Sequence, residues 1–356
     1  MAETDLVTPA DLAGQAYQQA VRDRAGKLKQ ELIRQTLEDA ASWTRAVNDK
    51  WANAHPGEWD GLPIDQAEVD RYRQQVSTQD YEWVIPSFER FLDPDPDALD
   101  PIIAALATIE ALLDGNANPD GTWTGVSPAL GRINDVRDDL KFWDGAFKDN
   151  FIDYFVTPLQ TVVPNQREVI KYTRSAIEGS KIVHIRMRRA VLNLLDQGIK
   201  AAQQLSNGAC TGADVLKWGS IAMCVVGTAV GGLVTGPAAV LAGAVLVDVG
   251  GTILNGLVPP DEEKTKLELA AETATGVASN ILNAQSVLGN DTYVAEEGIA
   301  RSLRSLHQLV VEGRLPTLTS NASGPFGVAT PALADADPRA ITGGYFRPGG
   351  RHGDAA

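Results

Sequence analysis

Residues 138–155 read DDLKFWDGAFKDNFIDYF, and apolar side chains keep helical spacing on both sides of the step Trp143, Asp144, Gly145. Upstream, Ile133, Val136, Leu140 and Trp143 follow one another at intervals of three, four and three, which is a single stripe on a helix. Downstream, Phe147, Phe151, Tyr154 and Phe155 resume the stripe. It continues past Pro158 and Pro164 through Val169, Ile177, Ile185, Leu192, Leu195 and Ile199. A helix that stops and restarts with the same apolar face folds back as an antiparallel hairpin. The glycine supplies the unusual backbone angles and the tryptophan fills the end of the seam. The two prolines each remove a backbone donor and predict bends.

Outward from this hairpin the pattern stays helical. Residues 10–54, rich in Ala, Leu, Gln, Glu and Arg, predict one long amphipathic helix with Leu28, Leu32, Leu37 and Trp43 on its apolar side. After the break HPGEWDGLP, a second helix opens at Asp65 and passes Tyr72 toward Val84, with Pro86 ending or kinking it. The segment ALDPIIAALATIEALLDGNANPDG predicts a helix with Pro101 in its first turn, apolar enough to be buried between others. Toward the C-terminus, DEEKTKLELAAETATGVASNILNAQSVLG and VAEEGIARSLRSLHQLVVEG read as two helices joined by a short turn. From Arg314 the chain is rich in Gly, Pro, Ala, Ser and Thr without period, the composition of a disordered tail. The expected fold is therefore all-α. Its parts are an N-terminal helical region (1–120), the hairpin (127–207), a glycine-rich apolar hairpin (215–258), C-terminal helices (261–313) and the tail (314–356).

The W-D-G step with its flanks, LKFWDGAFKDNFIDYFVTPL and the following PNQREVIKYTRSAIEGSKIVHIRMRRAVLNLL, resembles the WXG family of type VII (ESX) secretion substrates over roughly residues 127–207. That resemblance implies a helix, a W-x-G turn at Trp143, Asp144 and Gly145, and a second helix, with Phe147 and Phe151 closing the seam. It also implies export without a cleaved signal. The family's Y-x-x-x-D/E export pattern is met here by Tyr293 and Glu297. W-x-G also occurs at Trp59–Gly61 and Trp123–Gly125, but only the copy at 143 lies between matched stripes. The resemblance implies secretion machinery or a helical protein as partner, with a cytoplasmic stage before export.

From Trp218 to Val247 no charged residue occurs, and the composition turns to Gly, Ala and Val. Gly236 and Pro237 divide this run into two arms, while Gly227 with Gly231 and Gly232 with Gly236 give the small-x-x-x-small spacing that lets helices approach closely. Insertion of such a hairpin in a membrane and its burial inside a helical bundle explain the same letters.

The net charge of −15 argues against nucleic acid as a partner, because phosphate neutralisation needs clustered cations. The densest basic cluster, Arg186, Arg188 and Arg189, most simply neutralises acidic neighbours or a partner's acidic helix. The opening residues carry acid where a secretory signal carries base. Cys210 and Cys224 form no C-x-x-C pair, and whether they are bonded stays open. Chemistry is hard to assemble. His55, His184, His307 and His352 are scattered, neighbouring acids such as Asp138 with Asp139 and Glu262 with Glu263 point to different helix faces, and no phosphate loop or nucleophile elbow is present. The sequence predicts no enzyme, no metal and no cofactor. It leaves three readings: a secreted helical effector or secretion-associated factor, a membrane-active protein deploying residues 219–256, and an all-helical scaffold that binds copies of itself.

Overall fold

The computed structural model describes residues 6–57, 64–118, 122–142, 146–205, 215–218, 265–320 and 326. In chain order its helices are α1 (Gly14–Ala54), α2 (Gln66–Gln75), α3 (Val84–Glu89), α4 (Asp100–Leu112), α5 (Pro128–Asp139), α6 (Ala146–Phe151), α7 (Thr157–Leu205) and α8 (Ala274–Ser320). Two short antiparallel ladders accompany them: β1 (Asn116–Ala117) with β2 (Trp123–Thr124), and β3 (Val215–Trp218) with β4 (Thr265–Glu268). The fold is all-α.

Among the described residues two compact units form, each from separate stretches of chain. The first takes the residues up to Leu99, the part of α7 from Ser180, both strands of the β3–β4 ladder, and α8 up to Glu297. Its frame is set by α1, where Tyr17, Val21, Ala25, Leu28 and Leu32 recur every three or four residues and are wholly buried. Each large side chain in such a stripe contributes roughly 1.5–3 kcal/mol by leaving water. The same unit buries Val84 and Phe88 of α3, Val191, Leu194 and Leu195 of α7, and Val277, Ile281 and Leu288 of α8. The helices close tightly at Gly198, where an added Cβ would lie 3.0 Å from Ile281 Cδ1 and 3.5 Å from Leu28 Cδ1. Polar ties join the same elements: Arg24 to Asp196 at 2.8 Å, Gln203 donating to Glu31 at 2.9 Å, and Gln285 donating to Ser87 Oγ at 3.0 Å.

The second unit takes Asp100 through Gly179 and α8 from Gly298. Trp123, Leu130 and Val163 form its buried cluster, with Leu113, Val126, Ile133 and Leu159 packed around them. Ser127 starts α5 as the sequence signature Ser-Pro suggests, its hydroxyl accepting from the Leu130 N–H at 3.4 Å and donating to the Leu112 carbonyl at 2.7 Å.

Several expectations are corrected. Pro86 does not end a helix but lies in the first turn of α3, where its missing N–H is not needed. A π-helical turn at Ile152–Val156 precedes Pro158, and the widened ladder there accommodates the absent donor. The chain stays α-helical across Pro164. The two expected C-terminal helices are one continuous α8, and residues 265–268, expected to be helical, are strand β4. The helix also runs on to Ser320, beyond the expected start of the tail at Arg314. Phe326 is buried, its carbonyl accepting from Gln166 at 3.3 Å. Finally, α4 buries none of its residues despite being the most apolar of the helices.

Candidate functional site

The step Trp143, Asp144, Gly145 lies outside the described residues, as do Trp59–Gly61, Cys210, Cys224 and the glycine-rich positions Gly227, Gly231, Gly232, Gly236 and Pro237. Helix stands on both sides of the step: α5 with a 3-10 turn at Leu140–Phe142 before it, α6 directly after. Leu140 is buried, as the stripe predicts, but Val136 and Tyr154 are exposed, and Phe142 is 85% exposed beside Trp143. Phe147 belongs to α6, and the Phe151 ring packs on Phe155 with centroids 5.0 Å apart.

Trp123, Thr124 and Gly125, the W-x-G copy without matched apolar stripes around it, all lie among the described residues. Trp123 is buried in β2, and Asn134 of α5 clamps its backbone, accepting from its N–H and donating to its carbonyl at 2.9 Å each. Two residues on, Gly125 has φ +63°, a left-handed conformation that favours glycine. Here the motif joins a strand to a helix. The available signal was the Ser-Pro cap two residues past Gly125.

The Tyr293 and Glu297 pair sits one turn apart in the middle of α8. Tyr293 is 64% exposed.

Along α4, Ile102, Ala105, Ile109 and Leu112 follow at intervals of three, four and three, the spacing of a coiled-coil seam. All four face solvent, with Ile102 and Leu112 each 49% exposed and Ile109 42%. The charges of α4 are Asp100 and Glu110, off this stripe, and Glu110 is held by Arg174 at 3.0 Å. Contiguous apolar surface on a charged protein marks a contact site more often than chance.

A different row occupies α7 in the first unit. Lys181, His184 and Arg188 fall at three and four residues, continued by Val191 and Leu195, so three ionisable side chains take positions of the buried stripe. Arg188 is 1% exposed. Its Nη1 donates to the Leu12 carbonyl at 2.7 Å and pairs with Asp95 at 3.1 Å. Its Nη2 donates to the carbonyls of Leu92 at 3.0 Å and Pro94 at 3.2 Å. The guanidinium stacks over the Tyr17 ring, 4.6 Å from the centroid, and the buried Tyr17 hydroxyl, its pKa raised by desolvation, donates to the Phe91 carbonyl. Arg188 therefore fastens α7 to the chain before α1 and to the turn after α3. Lys181 pairs with Asp97 at 3.2 Å. His184 Nε2 lies 3.1 Å from Glu296, while burial first and the nearby Arg188 charge second push its pKa down to about 4. The ring is neutral at pH 7 and donates its Nε2–H to Glu296, whose own carboxyl burial raises. This row is structural chemistry. Arg188 meets an acidic neighbour, Asp95, but does so from inside the core as an internal staple, and Arg189 alone of the three arginines is exposed.

Among the described residues no group of three or more His, Cys, Asp and Glu is placed to hold a metal, and no helix is long and apolar enough to cross a membrane. Neither family models, nor curated protein sequences, nor solved structures match the chain.

Proposed function

We propose that the protein works by binding other proteins, as a secreted helical effector or secretion-associated factor exported by a type VII system, with the exposed face of α4 receiving a partner's helix. One observation carries this reading: Ile102, Ala105, Ile109 and Leu112 present a charge-free seam at coiled-coil spacing to solvent. Three further features support the export part. W-D-G stands between α5 and α6, Phe142 is exposed beside it, and Tyr293 is exposed one turn from Glu297. The activity asks for no acid, base or nucleophile. Its test is fractionation of the native host into cytosol, membrane and medium, with and without the type VII ATPase. Appearance in the medium that needs the ATPase and fails with Trp143→Ala supports export; equal appearance without the ATPase ends that part.

The β3–β4 ladder favours a second reading, in which residues 219–256 act on a membrane. Pairing of Trp218 with Thr265 sets the two ends of the intervening stretch side by side, as an inserting hairpin requires. Dye release from liposomes that a variant lacking residues 219–256 reproduces in full would end it. A self-assembling scaffold, the third class, uses the same α4 seam between two copies, and a monomer in sedimentation at high concentration would exclude it.

A further inference from the structure

The apolar stripe of α1 does not stay buried. Leu28 and Leu32 are in the core, yet Trp43, three turns on, is 63% exposed. Between this end of α1 and α2 runs an open groove of about 710 Å³, within the first unit. From α1 it is lined by Leu37, Ala40 and Thr44, a stripe at intervals of three and four, with Trp43 beside them. Opposite stand Ile64, Glu68 and Tyr72, at intervals of four. The α1 wall is two turns of helix, about 11 Å long, and the opposite wall runs from Ile64, just before the Asp65 cap, to Tyr72 in α2, so the groove has the length over which an amphipathic helix places anchors at i, i+3 or i+4, and i+7. Trp43 and Tyr72 are the rigid aromatic surfaces on which such anchors gain most.

Charge selects the occupant. Asp39 and Glu68 line the groove, and its one lining cation, Arg73, is already paired with Asp70 at 3.5 Å. From Thr36 to Ala46 and from Ile64 to Asp80 the chain carries six carboxylates against three arginines. Burial and the carboxylates of Asp80 and Asp39 hold the Tyr72 phenol above its ordinary pKa, a sign of the same negative field. A second copy of this chain, at net charge −15, meets that field with the wrong sign.

We infer that the groove between α1 and α2 is a binding site for a basic amphipathic helix of another protein. The site is separate from α4 and does not rest on the export reading. Its apolar floor takes the partner's aliphatic anchors, while Glu68 meets Lys or Arg on the flank and Asp39, held by Gln35 and the Ala274 N–H, adds to the negative field. The probe is a labelled synthetic helix of about 18 residues, with Leu at the anchor spacing and Lys elsewhere, titrated by anisotropy into the full chain. A second peptide has Glu in place of each Lys. Saturable binding of the Lys peptide is expected, roughly tenfold weaker for the Glu peptide and for Trp43→Ala, and several-fold weaker for Glu68→Lys. Ile109→Ser on α4 is expected to leave it unchanged. Should Trp43→Ala fold poorly by circular dichroism, Glu68→Lys, a surface change, decides. No saturable binding, equal binding of both peptides, equal binding by the groove variants, or loss on Ile109→Ser would each overturn the site.

Discussion

Residues 102–112 of α4 and 181–195 of α7 share one spacing, three then four, and invert the usual relation between polarity and burial. In α7 the row holds Lys181, His184 and Arg188 out of water; in α4 it leaves Ile102, Ile109 and Leu112 in it. The difference lies in the partners each row meets. Arg188 enters its core beside three backbone carbonyls, a carboxylate and an aromatic ring, so both of its Nη groups find partners where they sit. Among the described residues no element covers the α4 seam, and its apolar side chains stay in contact with water. Buried polarity records an internal partner, and exposed apolarity points to an external one.

The largest way to break this comparison is Arg188→Leu. With three carbonyls and Asp95 deprived of their donor, a loss of about 3–5 kcal/mol is expected in urea unfolding. A loss under about 1 kcal/mol would mean the row is not a staple.

Acid probes the neighbouring position. The folded chain refuses a proton at His184 until pH falls to about 4, whereas the unfolded chain takes it near 6.5. His184 therefore costs nothing above pH 6.5 and costs progressively more as pH falls through that window. The ceiling is about 3 kcal/mol at pH 4, partly offset by Glu296, whose raised carboxyl gains a proton more readily when folded. Thermal scans should show the melting temperature falling over this range, and His184→Gln should flatten the fall. An unchanged slope in that variant would assign the acid response elsewhere.

Asn134→Ala leaves the Trp123 N–H and carbonyl without their clamp, and about 1–3 kcal/mol should be lost by the same urea measurement. The smallest effect belongs to α4. Ile102→Ser or Ile109→Ser should move stability by no more than about 0.5 kcal/mol while weakening partner binding, because both side chains are nearly half exposed and no described residue buries them. A loss of several kcal/mol would show the seam to be core after all.

Periodicity made the long helices readable, since the α1 stripe from Tyr17 to Leu32, the Asp65 cap and the Ser127-Pro128 start are local signals. It fixes which face of a helix is apolar but not what covers that face, so it predicts burial for α4, which is exposed, and places Trp43 on the apolar side of α1 without marking it as exposed. Lys181, His184 and Arg188 stood at stripe positions in plain view. Reading them by residue type hid the fact that their spacing was the core's. The β3–β4 ladder joins two four-residue segments nearly fifty residues apart, and so short a pairing has no local mark. Of the candidate sites, the exposure of Tyr293 was not legible, because a five-letter pattern carries no burial.

The most direct test of the central claim, that α4 is a contact face, is a photocrosslinking residue placed at Ile109 in the native host, with Asp49 on exposed α1 surface as control. A discrete adduct at Ile109 and none at Asp49 is the expected result, whereas no adduct at Ile109, or the same adducts at both positions, would contradict it.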